Sequence, residues 1–137
     1  MSKKRATLSA CVASSALLLG VISATPASAV NLFANCTTTG ANGDVSISNY
    51  NGASDFIGGS LGAWDTSADG HHVRVRLITK DSTGTIKYWA WHANYNGAGS
   101  TQSWDFTATD RGGFFDMGVQ VGRFEGDTIL NACANWA

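Results

Sequence analysis

Short apolar stretches alternate with turn-forming clusters along most of this chain, and this alternation is the strongest constraint on its fold. The stretches are rich in Val, Ile, Phe, Tyr and Trp, and clusters of Gly, Asn, Asp and Ser separate them. No segment keeps a 3.6-residue apolar period over three turns, as an amphipathic helix would. No proline follows Pro26, whereas 15 of the 16 glycines do. This pattern is typical of an antiparallel all-β domain.

The alternation predicts seven strands. They cover residues 44–50, 56–64, 72–80, 85–92, 102–109, 114–123 and a short segment near 128–134. The third strand is the clearest, because Val73, Val75 and Leu77 alternate with polar and charged side chains. Seven short strands in a chain of this length predict a single β-sandwich or a small barrel.

The same alternation places apolar side chains of other strands on a common face. The residues predicted to share a face are Val45 and Ile47, then Trp104, Phe106 and Ala108, then Phe115, Met117, Val119 and Val121. The pair Gly58-Gly59 interrupts the second strand and suggests a β-bulge or the close approach of a neighbouring strand.

The N-terminus has the three parts of a secretory signal peptide. Basic residues occupy positions 3–5, an apolar run covers 16–22, and Ala27-Ser28-Ala29 forms a small-residue cleavage site. The apolar run is too short for a membrane anchor, which needs about 20 residues. We therefore expect cleavage of residues 1–29 and secretion of 30–137 as one extracellular domain.

Charge and hydropathy limit the partners of that domain. The chain has 9 basic and 10 acidic residues, and three of the basic ones lie in the signal segment. An acidic domain lacks the basic surface of a general phosphate-backbone binder, so no nucleic-acid partner is expected. No apolar run after residue 29 is long enough to span a membrane.

Two of the three cysteines remain after cleavage, and they lie near opposite ends of the domain. Because exported proteins meet an oxidising compartment, we expect a disulfide between Cys36 and Cys133. Closing a loop of that length stabilises a fold by roughly 4–5 kcal/mol in the chain-entropy model. A reactive or metal-binding thiol is the alternative, although no second ligand lies at metal-binding spacing near either cysteine.

The third and fourth predicted strands form a hairpin whose register defines a candidate ligand face. A four-residue turn over 81–84 places Arg76 opposite Trp89 and Arg74 opposite Trp91, and paired residues share a face. A two-residue turn changes the partners but keeps the same faces. Only an odd-length turn would change these faces. The opposite, core-facing side would hold Val73, Val75, Leu77, Tyr88, Ala90 and His92.

The stripe of Trp89, Trp91, Arg74 and Arg76 suits a binding surface. Indole rings stack on sugar rings or apolar ligands, and guanidinium groups donate hydrogen bonds. The predicted function is a non-catalytic domain that binds a glycan or a cell-envelope surface. The alternatives are cation–π pairs that only stabilise the sheet, or tryptophans covered by the second sheet.

Carboxylates and histidines support weaker hypotheses. Asp65 and Asp69 could bind calcium, but the complete calcium loop is missing, and bonds that shape the turn are the alternative. His71 and His92 could form a zinc or acid–base pair, although a third ligand is not evident. No metal or other cofactor is therefore assigned.

Catalytic motifs are not recognisable in the sequence. It contains neither Gly-x-Ser-x-Gly nor His-Glu-x-x-His. A small extracellular hydrolase is still an alternative, with His71 or His92 beside a carboxylate pair of the glycosidase type. The candidate carboxylates are Asp105, Asp110, Asp116 and Asp127. An inhibitor or toxin that presents the loop Asn94–Gly99 to another secreted protein is a further alternative.

The stretch from Trp64 to Thr79 contains Asp65-Thr66-Ser67-Ala68-Asp69-Gly70-His71-His72-Val73-Arg74-Val75. Together with the signal ending in Ala-x-Ala, this stretch resembles small secreted β-rich proteins of actinobacteria, whose function is uncharacterised. The resemblance implies a bacterial, extracellular setting, and it transfers no catalytic residue.

Overall fold

Nine β-strands make up the regular structure of residues 28–52 and 54–137, which are the residues that the computed structural model describes. They are β1 (Val30–Thr38), β2 (Ala41–Tyr50), β3 (Phe56–Asp65), β4 (His72–Lys80), β5 (Ile86–Tyr88), β6 (His92–Asn94), β7 (Thr101–Thr109), β8 (Asp116–Glu125) and β9 (Thr128–Trp136). Residues 1–27 of the predicted signal peptide lie outside the described residues. Within the described part of the chain, no helix is long and apolar enough to cross a membrane.

The strands form two antiparallel sheets that pack face to face. The first sheet has the order β1-β2-β3-β7. The second has the order β5-β4-β8-β9, and β6 also pairs with β4. The predicted all-β sandwich is confirmed, but it has nine strands rather than seven. Strand β1 was not predicted, and the predicted strand 85–92 divides into β5 and β6.

The core lies between the two sheets and consists mainly of the alternating residues that the sequence predicts. Val73, Val75 and Leu77 of β4 are buried there with Met117, Val119 and Val121 of β8. The prediction is wrong for Phe115, which lies before β8 with its side chain exposed. Its neighbour Phe114 is fully buried in its place, because the chain has not yet entered the regular strand alternation at this point.

The glycine pair in β3 marks a close approach rather than a bulge. The pairings of β3 with β2 and with β7 run without a register shift. A Cβ on Gly59 would overlap the backbone carbonyl oxygen of Ser46, whereas a Cβ on Gly58 would find its nearest neighbour at 3.7 Å. Glycine at position 59 therefore lets β2 and β3 pack closely.

One side of the sandwich is closed by side chains that join β9 to β1. The Cys36–Cys133 disulfide, with its Cα atoms 6.0 Å apart, confirms the predicted pairing. Two residues before it, Asn131 donates to the hydroxyl of Thr38 at 2.8 Å. Two residues after it, Asn135 donates to a backbone carbonyl of β1 at 3.0 Å. Because strand side chains alternate, all three links point from the same face of β9.

Candidate functional site

The turn between β4 and β5 sets the face on which each hairpin side chain lies. Lys80 pairs with Ile86, so residues 81–85 form a turn of odd length. The carboxylate of Asp81 accepts hydrogen bonds from the backbone N–H groups of Thr83 at 2.8 Å and Thr85 at 3.0 Å, and these bonds hold the wider turn. The even-length turn expected from the sequence is therefore wrong, and the faces of β5 are exchanged.

A second irregularity restores the predicted faces beyond β5. Ile78 pairs with Tyr88 but Val75 pairs with His92, so two residues of β4 lie opposite three residues of the facing segment. One extra residue of this kind is the defining feature of a β-bulge. Side chains before the bulge and after it therefore follow different registers.

Trp89 faces the interior rather than the predicted ligand face. Its backbone N–H donates to the carbonyl of Leu77 at 3.1 Å, and its indole Nε1 donates to the hydroxyl of Thr79 at 3.1 Å. Its ring lies 6.2 Å from that of Phe114, against the core. The predicted pairing of Trp89 with Arg76 is thus wrong.

Tyr88 takes the place on the outer face that the sequence assigns to Trp89. Its ring contacts the guanidinium of Arg76, whereas the sequence places Tyr88 in the core. The structure therefore brings together three of the four predicted ligand-face residues, namely Arg74, Arg76 and Trp91.

The outer face of the second sheet gathers aromatic rings around cationic side chains, and we call it the aromatic–cation face. Its members are His72, Arg74, Arg76, Lys80, Tyr88, Trp91, Tyr95, Gln120, Phe124 and Trp136. Two of its rings are largely open to solvent, with Tyr88 53% exposed and Tyr95 67% exposed.

Arg76 lies at the centre of this face. Its guanidinium carbon is 4.3 Å from the ring centroid of Tyr88 and 4.3 Å from that of Trp91. Its Nε donates to the side-chain oxygen of Gln120 at 2.7 Å. Trp91 in turn meets the buried ring of Phe124 edge-on at 5.1 Å. Partial burial lowers the pKa of Arg76 from its usual value.

Arg74 is held by a network at the end of the same face. Its Nε donates to Nε2 of His72 at 2.9 Å, so that ring nitrogen is unprotonated. A terminal nitrogen donates to Asp127 and to the carbonyl of Gly126, both at 2.8 Å. Burial, followed by the positive charge of Arg74, lowers the pKa of His72. The network joins β4 to the turn between β8 and β9.

The opposite end of the face repeats the pairing of a cation with a ring. Lys80 lies 4.0 Å from the ring centroid of Trp136 and forms an ion pair with Asp116 at 3.1 Å. The indole of Trp136 packs over Gly118, where a Cβ would be only 3.0 Å from one of its ring atoms. A glycine at this position of β8 therefore leaves room for the ring and for the adjacent backbone of β9.

The side of the sandwich opposite the disulfide is open and contains an apolar crevice of about 250 Å³. It lies between β7 and the β5–β6 segment, and its lining consists of Leu61, Leu77, Trp89, Ala90, His92, Phe106, Thr107 and Ala108. The ring of His92 also packs against that of Trp104 on β7, with ring centroids 5.3 Å apart. Trp89 thus contributes to this crevice and to the core.

The structure does not bring the two candidate histidines together. His71 pairs with Glu125 at the end of the second sheet, whereas His92 lies opposite Val75 at the open side. The register predicted from a four-residue turn puts His92 opposite Val73, whereas the odd-length turn and the bulge each shift it by one residue along β4. No cluster of three or more His, Cys, Asp or Glu side chains arranged to hold a metal occurs among the described residues.

Asp65 and Asp69 both shape the loop between β3 and β4. Asp65 is buried, and one of its oxygens accepts the backbone N–H of Ser67 at 3.1 Å. Asp69 accepts the backbone N–H of His71 at 3.1 Å and pairs with Arg123 at 2.6 Å. These contacts are the turn-forming bonds that the sequence offers as the alternative to a calcium site.

Three of the four candidate catalytic carboxylates are engaged by different cations. Asp110 pairs with Lys87, while Asp116 and Asp127 pair with the two cations described above. The hydrogen bond from Lys87, followed by the backbone N–H of Gly112, lowers the pKa of Asp110. A glycosidase acid needs the opposite shift. Asp105 lies on β7 in the other sheet.

Comparison of the chain with protein-family models, with curated proteins and with solved structures finds no match. The functional assignment of the site therefore depends on its geometry alone.

The sequence analysis did not identify Tyr95, Phe124, Trp136 and Lys80 as members of the aromatic–cation face. Of these, Lys80 continues the alternation of Arg74 and Arg76 along β4 and could have been found from that signal.

Proposed function

We propose that this protein is an exported, non-catalytic domain that binds a glycan of the cell envelope or its surroundings through the aromatic–cation face. The observation that carries the proposal is the pair of solvent-exposed rings, Tyr88 and Tyr95, at either end of the cluster formed by Arg74, Arg76 and Trp91. Exposed aromatic rings on a rigid sheet stack on the apolar faces of sugars at a small entropic cost.

The spacing of these rings suits an extended ligand. The Tyr88 ring contacts Arg76, whereas the Tyr95 ring contacts His72 and its hydroxyl contacts Arg74. These contact points are two to four residues apart along β4, or roughly 7–13 Å at the strand rise. A chain of several sugar units would cover this distance. The disulfide supports export, because such bonds persist in oxidising compartments.

Retention on insoluble cellulose, chitin and peptidoglycan tests the proposal. We expect the wild-type protein to be retained on at least one of these polymers. Tyr88→Ala and Tyr95→Ala should each weaken that retention about two- to twelvefold, since a stacking contact contributes roughly 0.5–1.5 kcal/mol.

Phe33→Ala is the matched control. Phe33 is 60% exposed but lies on β1, in the other sheet, so its removal should leave retention unchanged. The proposal fails if no polymer retains the wild-type protein, or if Phe33→Ala weakens retention as much as the tyrosine variants do.

A further inference from the structure

We infer that Arg76 makes the aromatic–cation face selective for acidic glycans, by binding a carboxylate or a phosphate of the polymer with its terminal guanidinium nitrogens. The inference rests on the proposed function and specifies its substrate class. It starts from a difference between Arg76 and the other cationic side chains of this fold.

Apart from the exposed Arg111, every other lysine and arginine of the described chain has a carboxylate partner. Arg74 pairs with Asp127, Lys80 with Asp116, Lys87 with Asp110 and Arg123 with Asp69. Arg111 is exposed in the connection between β7 and β8. Arg76 is partly buried, yet it has no carboxylate partner among residues 28–52 and 54–137. Its side chain donates a hydrogen bond to the neutral Gln120 alone.

A partly desolvated cation without a counter-charge is unfavourable for the free protein. Removing a charge from water costs free energy that an ion pair or hydrogen bonds must offset. Here the contacts with Tyr88 and Trp91 offset part of it, since ring faces attract cations. The remaining donors are free to gain from an anion supplied by a ligand.

The surroundings of Arg76 also fix its orientation. Gln120 accepts the hydrogen bond from Nε, and the two rings lie against the guanidinium, so that group is held before any ligand arrives. The two terminal nitrogens carry the remaining N–H donors, which match the oxygens of a planar carboxylate or of a phosphate. Pre-organisation of this kind reduces the entropy lost on binding.

A ligand that satisfies both features of the face is a polymer with sugar rings for Tyr88 and Tyr95 and an acidic group near Arg76. Polyuronates supply the acidic group as a carboxylate, and envelope polymers of sugar rings joined by phosphodiesters, such as poly(N-acetylglucosamine phosphate), supply it as a phosphate. Both offer the same oxyanion chemistry to a guanidinium.

Binding of polygalacturonate and of its fully methyl-esterified form tests this selectivity, because the two polymers share a backbone and differ in charge. We expect the acid to bind the wild-type protein at least tenfold more tightly. Arg76→Gln should abolish that preference by weakening acid binding roughly ten- to a hundredfold, as expected for lost charge-assisted hydrogen bonds. Arg76→Lys should restore part of it, since lysine keeps the charge without the paired donors.

Arg111→Gln is the matched control, because it removes the same charge outside the face and should leave the preference intact. Poly(N-acetylglucosamine phosphate) forms the second arm: preferential binding of this polymer, lost in Arg76→Gln, identifies phosphate as the recognised anion. The inference is overturned if the wild-type protein prefers neither the acid over the ester nor the phosphate polymer, or if Arg76→Gln and Arg111→Gln lose binding equally.

Tyr88→Ala separates the two levels of the proposal. If a neutral polymer binds and Tyr88→Ala weakens it while Arg76→Gln does not, the face binds glycans and the assignment of Arg76 is wrong. If no polymer binds in a manner that depends on Tyr88, the proposed function and the inference both fail.

Discussion

Trp89 and Trp91 have different environments in this fold, although the register predicted from the sequence places both on the same face. Trp89 packs against the core and hydrogen-bonds Thr79, whereas Trp91 lies on the outer face against Arg76 and Phe124. Both lie in the bulge between β5 and β6, which turns their side chains to opposite faces. Substitutions at the two positions should therefore affect different properties.

We expect Trp89→Ala to lower the free energy of unfolding by about 2–4 kcal/mol, because it removes a large, partly buried ring that packs against the core. Trp91→Ala should cost about 1 kcal/mol, the scale of a cation–π and an edge-to-face contact on a surface. Urea denaturation monitored by circular dichroism measures both values. Equal losses of stability would contradict the opposite orientations of the two rings.

His72 makes the stability of the fold depend on pH. Its pKa is lowered by burial and by Arg74, so the folded state binds a proton less readily than the unfolded chain. Stability from this group is complete above the unfolded pKa of about 6.5 and is lost as the pH falls through the lower folded pKa. Asp127, Glu125 and Asp65 oppose the shift but do not reverse it.

Comparing the wild type with His72→Gln between pH 7.5 and pH 5 isolates this effect. The glutamine keeps an acceptor for the Nε of Arg74 and does not titrate, so the variant should lose less stability than the wild type over this range. Chemical denaturation at each pH provides the comparison. Parallel losses in the two proteins would show that His72 does not contribute.

At the scale of strands, the sequence predicts elements whose two faces differ in polarity and fails where they do not. β4 was predicted over its full length, because Val73, Val75 and Leu77 are buried on one side while arginines cover the other. β1 was missed because its buried residues include the small Ala34 and Cys36, which give little periodic signal.

The candidate site was predicted in part for a related reason. Alternation alone places Arg74 and Arg76 on one face of β4, and this holds whatever strand lies beside it. The facing residues depend on a turn length and on a bulge, and a change of one residue in either reverses every side chain that follows. The predicted faces of Tyr88 and Trp89 were wrong for this reason: Tyr88 lies on the outer face, and Trp89 faces the interior. Trp136 belongs to a distant strand whose register local sequence does not determine.

The glycine pair of β3 gives a prediction at this scale with its own control. Gly59→Ala should lower the free energy of unfolding by about 2–3 kcal/mol, because its Cβ would overlap the backbone of β2, which cannot easily move. Gly58→Ala meets only ordinary contacts and should be neutral within about 0.5 kcal/mol or slightly stabilising. Thermal and urea denaturation would show the difference, and similar values for both variants would contradict it.

At the scale of the whole molecule, the sandwich is asymmetric. One side is joined by the disulfide between β1 and β9 and by the two asparagines beside it. The other side, between β7 and the β5–β6 segment, contains the apolar crevice. The aromatic–cation face extends from the short strands of the open side across to β9. Its rigidity therefore depends partly on how firmly β9 is held.

The disulfide should accordingly support both stability and the binding face. Its partners are separated by 97 residues, and removing a cross-link of that span costs roughly 4–5 kcal/mol in the chain-entropy model. We expect the double variant Cys36→Ala, Cys133→Ala to lose stability on this scale.

Amide exchange in the double variant should accelerate most in β1 and β9 and least in β3 and β4, which each have partner strands on both sides. Asn135→Ala is the control at the same side, with an expected loss of about 1 kcal/mol for one hydrogen bond. An unchanged unfolding midpoint in the double variant, or uniform acceleration of exchange across both sheets, would show that the disulfide does not secure this side of the sandwich.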